Sequence, residues 1–159
     1  MGTVGRAQKR QRALQDGAWQ VMNCRDKNNA ERVEELTGGK KLSVVYDSVG
    51  KDTWEASLDC LKRRGLMVSF GNSSGPVTGV NLGILNQKGS LFATRPSLNG
   101  YITNYDELKE ASHELFSLIA SGIIKVDVAE SQKYPLKDAR RAHEILESRA
   151  TEGSRLLIP

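Results

Sequence analysis

The sequence predicts an α/β fold in which an open sheet of buried parallel strands presents a ligand site at one rim. Two stretches carry this reading, Val44-Val45-Tyr46-Asp47-Ser48-Val49-Gly50 and Leu66-Met67-Val68-Ser69-Phe70-Gly71-Asn72-Ser73-Ser74-Gly75-Pro76. Each runs apolar and then breaks into small polar residues and glycine. A strand buried on both faces needs apolar side chains throughout. A ligand lying across its tip needs small residues there, so that the backbone can come close. The spacing of the two stretches, about one strand–helix–strand unit, is the third observation.

The elements follow in order. Residues 6–16 lack strand character and stop at Gly17, which suits a helix. Residues 19–23 suit a short strand. Residues 28–36 suit a short helix with Val33 and Leu36 on one face, closed by Gly38-Gly39. Residues 42–47 form a strand with β-branched Val44 and Val45. Asp52-Thr53-Trp54-Glu55 has capping-box spacing, and Trp54, Leu58 and Leu61 follow at helical intervals until Gly65. A strand over 66–70 leads into a Gly-rich loop, a short helical turn over 81–86 and a strand over 90–94. Asn104 and Glu107 repeat the capping-box spacing ahead of a long helix, whose stripe of Leu108, Ala111, Leu115, Leu118 and Ile119 is expected to pack in the core. Residues 123–128 alternate apolar and polar like a half-exposed strand. Residues 137–148 form a last helix with Ala139, Ala142, Ile145 and Leu146 inward, and Leu156-Leu157-Ile158 a closing strand.

The 159 residues suit one domain, and 38% apolar with 26% charged residues suits a folded, soluble chain. No apolar run is long enough to span a bilayer and the start is polar and basic, so no membrane is expected and a cytoplasmic location is. Cys24 and Cys60 are far apart with no CxxC, so two free thiols are expected, with neither a disulfide framework nor a cysteine zinc site. His113 and His143 lack a second ligand at i+4 and suit helix surfaces; no metal is expected. The net charge of +4 gathers in Arg6-Ala7-Gln8-Lys9-Arg10-Gln11-Arg12. That cluster could meet nucleic acid, but no aromatic residues are interleaved to stack on bases. Its other readings are a solvated face for Arg10 and Arg12, and a phosphate site at the helix start for Lys9 and Arg6.

One part of a dinucleotide-binding fold is missing. Such a fold opens with an apolar strand, a GxGxxG turn and a helix that holds the pyrophosphate. Here Met1-Gly2-Thr3-Val4-Gly5-Arg6 supplies the tail of one strand, and GxGxxG occurs nowhere.

The segments Val45-Tyr46-Asp47-Ser48-Val49-Gly50, Arg63-Arg64-Gly65-Leu66-Met67-Val68-Ser69-Phe70-Gly71-Asn72-Ser73-Ser74-Gly75 and Thr94-Arg95-Pro96-Ser97 together resemble NADPH-dependent quinone oxidoreductases, the zinc-free, zeta-crystallin-like branch of the medium-chain dehydrogenase/reductases. The resemblance runs to Ser154-Arg155-Leu156-Leu157-Ile158-Pro159. It implies an incomplete Rossmann-type, doubly wound parallel sheet that lacks its first strand and Gly-rich turn. Residues 1–122 would form a partial NADP-binding domain, and residues 123–159 would return to a catalytic domain that precedes this region in the family. In a sheet of order 3-2-1-4-5-6, the first strand belongs between the strand ending near Val4 and the one over 42–47. A gap there would expose ladder groups and apolar surface, which predicts poor stability, aggregation or pairing with another chain.

The resemblance also implies roles. The segment Gly5-Arg6-Ala7-Gln8-Lys9 occupies the place where an acid would bind the adenosine ribose. It has two cations and no acid, which favours the 2′-phosphate of NADPH, with Lys9 ahead of Arg6. Cys24 replaces a family tyrosine at the phosphate, with Arg25 beside it as a candidate substitute. Ser48 and Val49 would line the adenine and ribose side. Phe70, Gly71, Asn72 and Ser73 would lie against the nicotinamide half, Pro96, Ser97 and Leu98 would continue that wall, and Arg149 would reach back to the cofactor. No general acid or nucleophile is assigned, as suits hydride transfer to a quinone. The strand over 90–94, from Ser90 through Leu91, Phe92 and Ala93 to Thr94, would be an unprotected edge that pairs with a second copy in a homodimer. The competing reading is a non-catalytic dimerisation or RNA-binding module acting through the basic N-terminal helix.

Overall fold

The computed structural model describes residues 1–23, 28–126, 128–148 and 153–159. Its elements run β1 (Gly2–Val4), α1 (Gln8–Gln15), β2 (Val21–Asn23), α2 (Asn29–Leu36), β3 (Leu42–Asp47), α3 (Trp54–Asp59), β4 (Leu61–Ser69), α4 (Gly83–Gln87), β5 (Phe92–Thr94), α5 (Leu98–Tyr101), α6 (Tyr105–Ala120), β6 (Lys133–Pro135), α7 (Ala139–Glu147) and β7 (Leu156–Ile158). Each of the described ladders is parallel, which confirms the α/β class: β1 pairs with β2, β3, β4 and β5 form a three-stranded sheet in that order, and β6 pairs with β7. No described helix is long and apolar enough to cross a membrane.

The core belongs to the three-stranded sheet. Leu58, Leu61, Met67 and Leu91 are buried together, with Val45, Trp54, Ile84 and Leu85 packed around them. Sheet interruption lies on the other side. β1 and β3 belong to different sheets, and Met1, Gly2 and Thr3 line one cleft with residues of β3 from Leu42 to Asp47. On this open edge Val44 is 37% and Tyr46 73% exposed, although both sit mid-strand. That is the break expected between the strand ending near Val4 and the strand over 42–47.

Several boundaries differ from the sequence reading. The helix expected to run from Trp54 to Gly65 stops at Asp59, because Leu61 already pairs with Leu42 in the sheet. Leu58 and Leu61 reach the same core, one from a helix and one from a strand, so their helical spacing is misleading. Between the pairs Leu42–Leu61 and Val44–Leu66, β3 has only Ser43 while β4 has Lys62, Arg63, Arg64 and Gly65, a bulge that extrudes the basic residues. Thr53, not Asp52, caps α3, and it does so without a side-chain bond to the helix. The Asn104 cap does form: its Oδ1 accepts from the Glu107 N–H at 3.0 Å, while the Glu107 carboxylate takes the Thr103 N–H and hydroxyl, each at 2.7 Å.

Two larger expectations fail. The α6 stripe is not core: no residue of α6 is buried, Leu108 and Leu115 are each 46% exposed, and Leu118 and Ile119 are half-buried. Helical periodicity shows that a face is apolar but not what covers it. No strand forms over the described residues of 123–128. Instead the chain turns at Gly122 (φ 74°), and the Ile124 N–H donates back to the Leu118 carbonyl at 3.1 Å. In α7, Ala142 is buried as expected, whereas Leu146 is exposed. His113 and His143 lie exposed on α6 and α7, and Cys60 is a buried free thiol.

Truncating the fully buried Leu58 or Met67 to alanine should cost about 2–5 kcal/mol, read by urea unfolding. Tyr46→Ala, on the open edge, should cost less than about 1 kcal/mol.

Candidate functional site

Parallel pairing brings the carboxyl ends of β3 and β4 out side by side, with Asp47 opposite Ser69. Beyond this pair the two segments interlock. The Phe70 N–H donates to the Asp47 carbonyl at 2.9 Å, Ser73 N–H to Ser48 O at 3.3 Å, Ser74 N–H to Val49 O at 2.9 Å, and Lys51 N–H to Gly75 O at 3.1 Å. The Ser74 hydroxyl donates to Val49 O at 2.8 Å and accepts from the Asp52 N–H at 3.0 Å. The glycines make this possible. A Cβ on Gly71 would lie 2.2 Å from Ser48 O, and one on Gly50 (φ 93°) would lie 2.6 Å from Gly75 O. The small residues at the strand tips therefore first serve the approach of one loop to the other.

Asp47 anchors the arrangement. Its carboxylate is buried and accepts from the N–H groups of Val49 (2.7 Å) and Gly50 (3.0 Å) and the hydroxyls of Thr53 (2.7 Å) and Ser57 (2.6 Å). Burial by itself would raise its pKa. The hydrogen bonds from Ser57, Thr53, Gly50 and Val49 outweigh it and hold the carboxyl below its ordinary value. From β5, the Arg95 guanidinium reaches over: Nη1 donates to Ser69 O at 2.7 Å and to Gly71 O at 3.3 Å. With its amide oriented to suit both neighbours, Asn72 donates to Gly71 O at 2.8 Å and accepts from Arg95 Nη2 at 3.2 Å.

The expected site residues fall into groups. Ser48, Gly71, Asn72 and Ser73 are brought together by the interlock, with Val49 between the two tips and Phe70 half exposed beside them. Pro96, Ser97 and Leu98 continue from β5 just past Arg95, and the Ser97 hydroxyl caps α5 by accepting from the Gly100 N–H at 3.2 Å. Gly5, Arg6 and Lys9 lie on the segment from β1 into α1, whose first turn holds no acid. Ser48 and Val49 line the cleft of about 280 Å³ between β1 and β3, whereas Gly5, Arg6, Lys9 and Phe70 do not. Asn29 also lines it and has a buried Oδ1 without a hydrogen-bond partner. Cys24, Arg25 and Arg149 lie outside the described residues. Asp47 and Arg95 are the structural keys that the sequence reading did not single out. Thr53 and Ser57, four apart on one helix face, are the signal for Asp47; Arg95, immediately before Pro96 at a strand end, gives no comparable one.

Asp47→Ala should cost about 3 kcal/mol in urea unfolding, because four donors lose their acceptor. A depressed folded-state pKa stabilises fully above the ordinary carboxylate value, and that contribution is lost as pH falls from there through the lowered folded-state pKa. The stability gap between wild type and Asp47→Asn should therefore narrow as pH drops below about 4, measured by denaturant titrations at stepped pH. Gly71→Ala, by wedging the tips apart, should destabilise the chain by more than about 2 kcal/mol in the same assay, whereas Gly100→Ala should not.

Comparison with known proteins places this geometry. Residues 17–157 match the family described as zinc-binding dehydrogenase. Quinone oxidoreductase of Salmonella typhimurium is 80% identical over the whole chain, which covers 49% of that protein. A crystal structure of Escherichia coli quinone oxidoreductase complexed with NADPH superposes with a TM-score of 0.94 at 78% identity, over 99% of this chain and 48% of that one. The structure of a 2-haloacrylate reductase superposes with a TM-score of 0.87 at 40% identity, over 99% of this chain and 49% of that one. The chain spans about half the length of the curated relatives it matches. Among the described residues, no group of three His, Cys, Asp or Glu side chains is placed to hold a metal ion. By the match over nearly its whole length, the chain belongs to the zinc-binding dehydrogenase family, and by superposition it shares its fold with the quinone oxidoreductases.

Proposed function

We propose that this chain forms the NADPH-binding part of an oxidoreductase that transfers a hydride to a quinone. The observation that carries it is the superposition, over nearly the whole chain, on half of a quinone oxidoreductase complexed with NADPH. The residues fit such a group. The cleft beside β3 is bordered by Ser48 and Val49, the tips expose Asn72 and Ser73, and Arg6 just before α1 and Lys9 in its first turn stand there without an acid. Lys9 and Arg6 would hold the 2′-phosphate near Gly5, and Ser48 and Val49 the adenosine. Phe70, Gly71, Asn72, Ser73, Pro96, Ser97 and Leu98 would wall the nicotinamide side, and Arg149 would add a cation. When bound, the nicotinamide supplies the hydride. The protein orients it: Arg95 and the Asp47 hydrogen bonds keep the tips rigid, and no side chain need donate a proton for the transfer itself.

Residues 1–122 serve as the partial cofactor domain, and residues 123–159 pack with the remainder of a longer enzyme. The exposed Ile123 and Val126 support packing of that second part against the remainder. The quinone would sit between the two parts, so the chain alone would be inactive or weakly active. β5, at the edge of its sheet with Phe92, Ala93 and Thr94 all exposed, supports pairing with a second copy of the chain. A reducing, cytoplasmic setting suits the free thiol of Cys60.

Titration with NADPH, followed by its fluorescence, should saturate. Lys9→Ala should weaken NADPH about tenfold and leave NADH unchanged, the loss expected of one charge-assisted phosphate contact. Absence of saturable binding by the folded chain would refute the cofactor role. A salt-sensitive RNA complex abolished by Lys9→Ala and Arg12→Ala would favour the RNA-binding module.

A further inference from the structure

The end of the sheet opposite the strand tips holds a basic cleft with no part in hydride transfer. Three connections meet there: α2 to β3, α3 to β4, and α4 to β5. They border an open cleft of about 550 Å³, within the roughly 300–1,000 Å³ typical of small-molecule sites. Lys40, Lys41, Lys62, Arg63 and Lys88 line it, and Asp59 is the one carboxylate among its lining residues. Five cations against one acid leave four positive charges, as many as the whole chain carries net. Along the sequence, positive charge is densest over residues 6–12. Folding assembles this second concentration from residues scattered between 40 and 88.

The backbone holds the cations in place. The β4 bulge turns Lys62 and Arg63 outward, and both are exposed. Arg64 within it has φ 61°, and its N–H donates to the Gly89 carbonyl at 2.9 Å. Lys41 has φ 54°, and its N–H donates to the Thr37 hydroxyl at 2.9 Å. Ser90, at φ 53°, follows Gly89 on the third connection. These three are the described non-glycine residues with positive φ: Lys41 and Ser90 lie on connections that meet at this end, and Arg64 lies in the β4 bulge beside them. Such backbone persists only where its surroundings enforce it.

Charge is only partly compensated. Lys88 pairs with Asp59, and Lys41 lies 3.7 Å from Glu34. Among the described residues, no ion pair engages Lys40, Lys62 or Arg63. Like charges held together repel, and an anion bound between them removes that repulsion. The only apolar side chains in the lining, Leu58 and Leu61, are already buried in the core, and no aromatic residue offers a face to a base. We infer that this cleft binds a short oligophosphate, through its phosphates alone, independently of the cofactor site.

Calorimetric titration of the whole chain with inorganic tripolyphosphate tests this. Saturable binding is expected, weakened at least tenfold by Lys62→Ser combined with Arg63→Ser, and unaffected by Lys9→Ser combined with Arg12→Ser. Tripolyphosphate should also protect Lys40, Lys62 and Lys88 of the unaltered chain from acetylation, a readout that does not depend on any variant folding. ATP should bind no tighter than tripolyphosphate, which places recognition in the phosphates, and NADPH should not displace it. Absence of saturable binding, equal loss with the Lys9 and Arg12 pair, equal affinity for sulfate, displacement by NADPH, or tighter binding of ATP or a single-stranded oligonucleotide would each overturn the inference.

Discussion

The carboxylate of Asp47 governs one whole edge of the molecule. A buried anion is tolerated only when its lone pairs are met, and here two N–H groups and two hydroxyls meet them. Those donors come from different places. Val49 and Gly50 belong to the turn after β3, while Thr53 and Ser57 lie one helical turn apart at the start of α3. A single side chain thus sets both the turn and the angle at which α3 returns over the sheet, and so aims Leu58 into the core beside Met67. Asp47 also begins the interlock with β4 through its own carbonyl, which accepts from Phe70. Side chain and backbone of one residue couple helix packing to loop geometry.

Stability is therefore unevenly distributed. The region from β3 to Arg95 carries the buried cluster, the interlocked tips and the guanidinium that fastens them. Among the described residues β1 and β2 pair only with each other, no residue of α6 is fully buried, and the β3 edge leaves Val44 and Tyr46 open. Segments with few buried apolar contacts open at lower free energy than a packed core. The cleft between β1 and β3 lies on this boundary between the strong and the weak part, and the orphaned Asn29 oxygen sits at the same boundary.

How legible this was depends on which interactions are local. The strand Leu42–Asp47 and the closing strand Leu156–Ile158 were readable because their apolar runs are bounded by turn residues. The gap beside β3 was readable because parallel order is constrained once the family is recognised. The end of α3 was not, since Leu58 and Leu61 satisfy a helical period while lying in two kinds of structure. The α6 stripe was misread because periodicity reports a face and is silent about its cover. Within the candidate site, the glycines at 50 and 71 were noticed, but as openings for a ligand. Their nearest constraint is each other's loop, a tertiary contact that no local pattern encodes.

Parallel topology explains why one small sheet can hold two unrelated surfaces. Every connection from strand to helix leaves at the carboxyl end, and every connection from helix to strand arrives at the amino end. The first set gives β3 and β4 their glycine-rich, hydrogen-bonded tips. The second gathers Lys40, Lys41, Lys62, Arg63 and Lys88. Six residues of β4, Arg64 to Ser69, separate the two ends, roughly 20 Å at about 3.3 Å per residue. That exceeds twice the screening length of about 8 Å at physiological ionic strength, so the exposed charges at one end exert little pull on a phosphate at the other. The cations at the amino end of the sheet are thus screened from the strand tips at the other end.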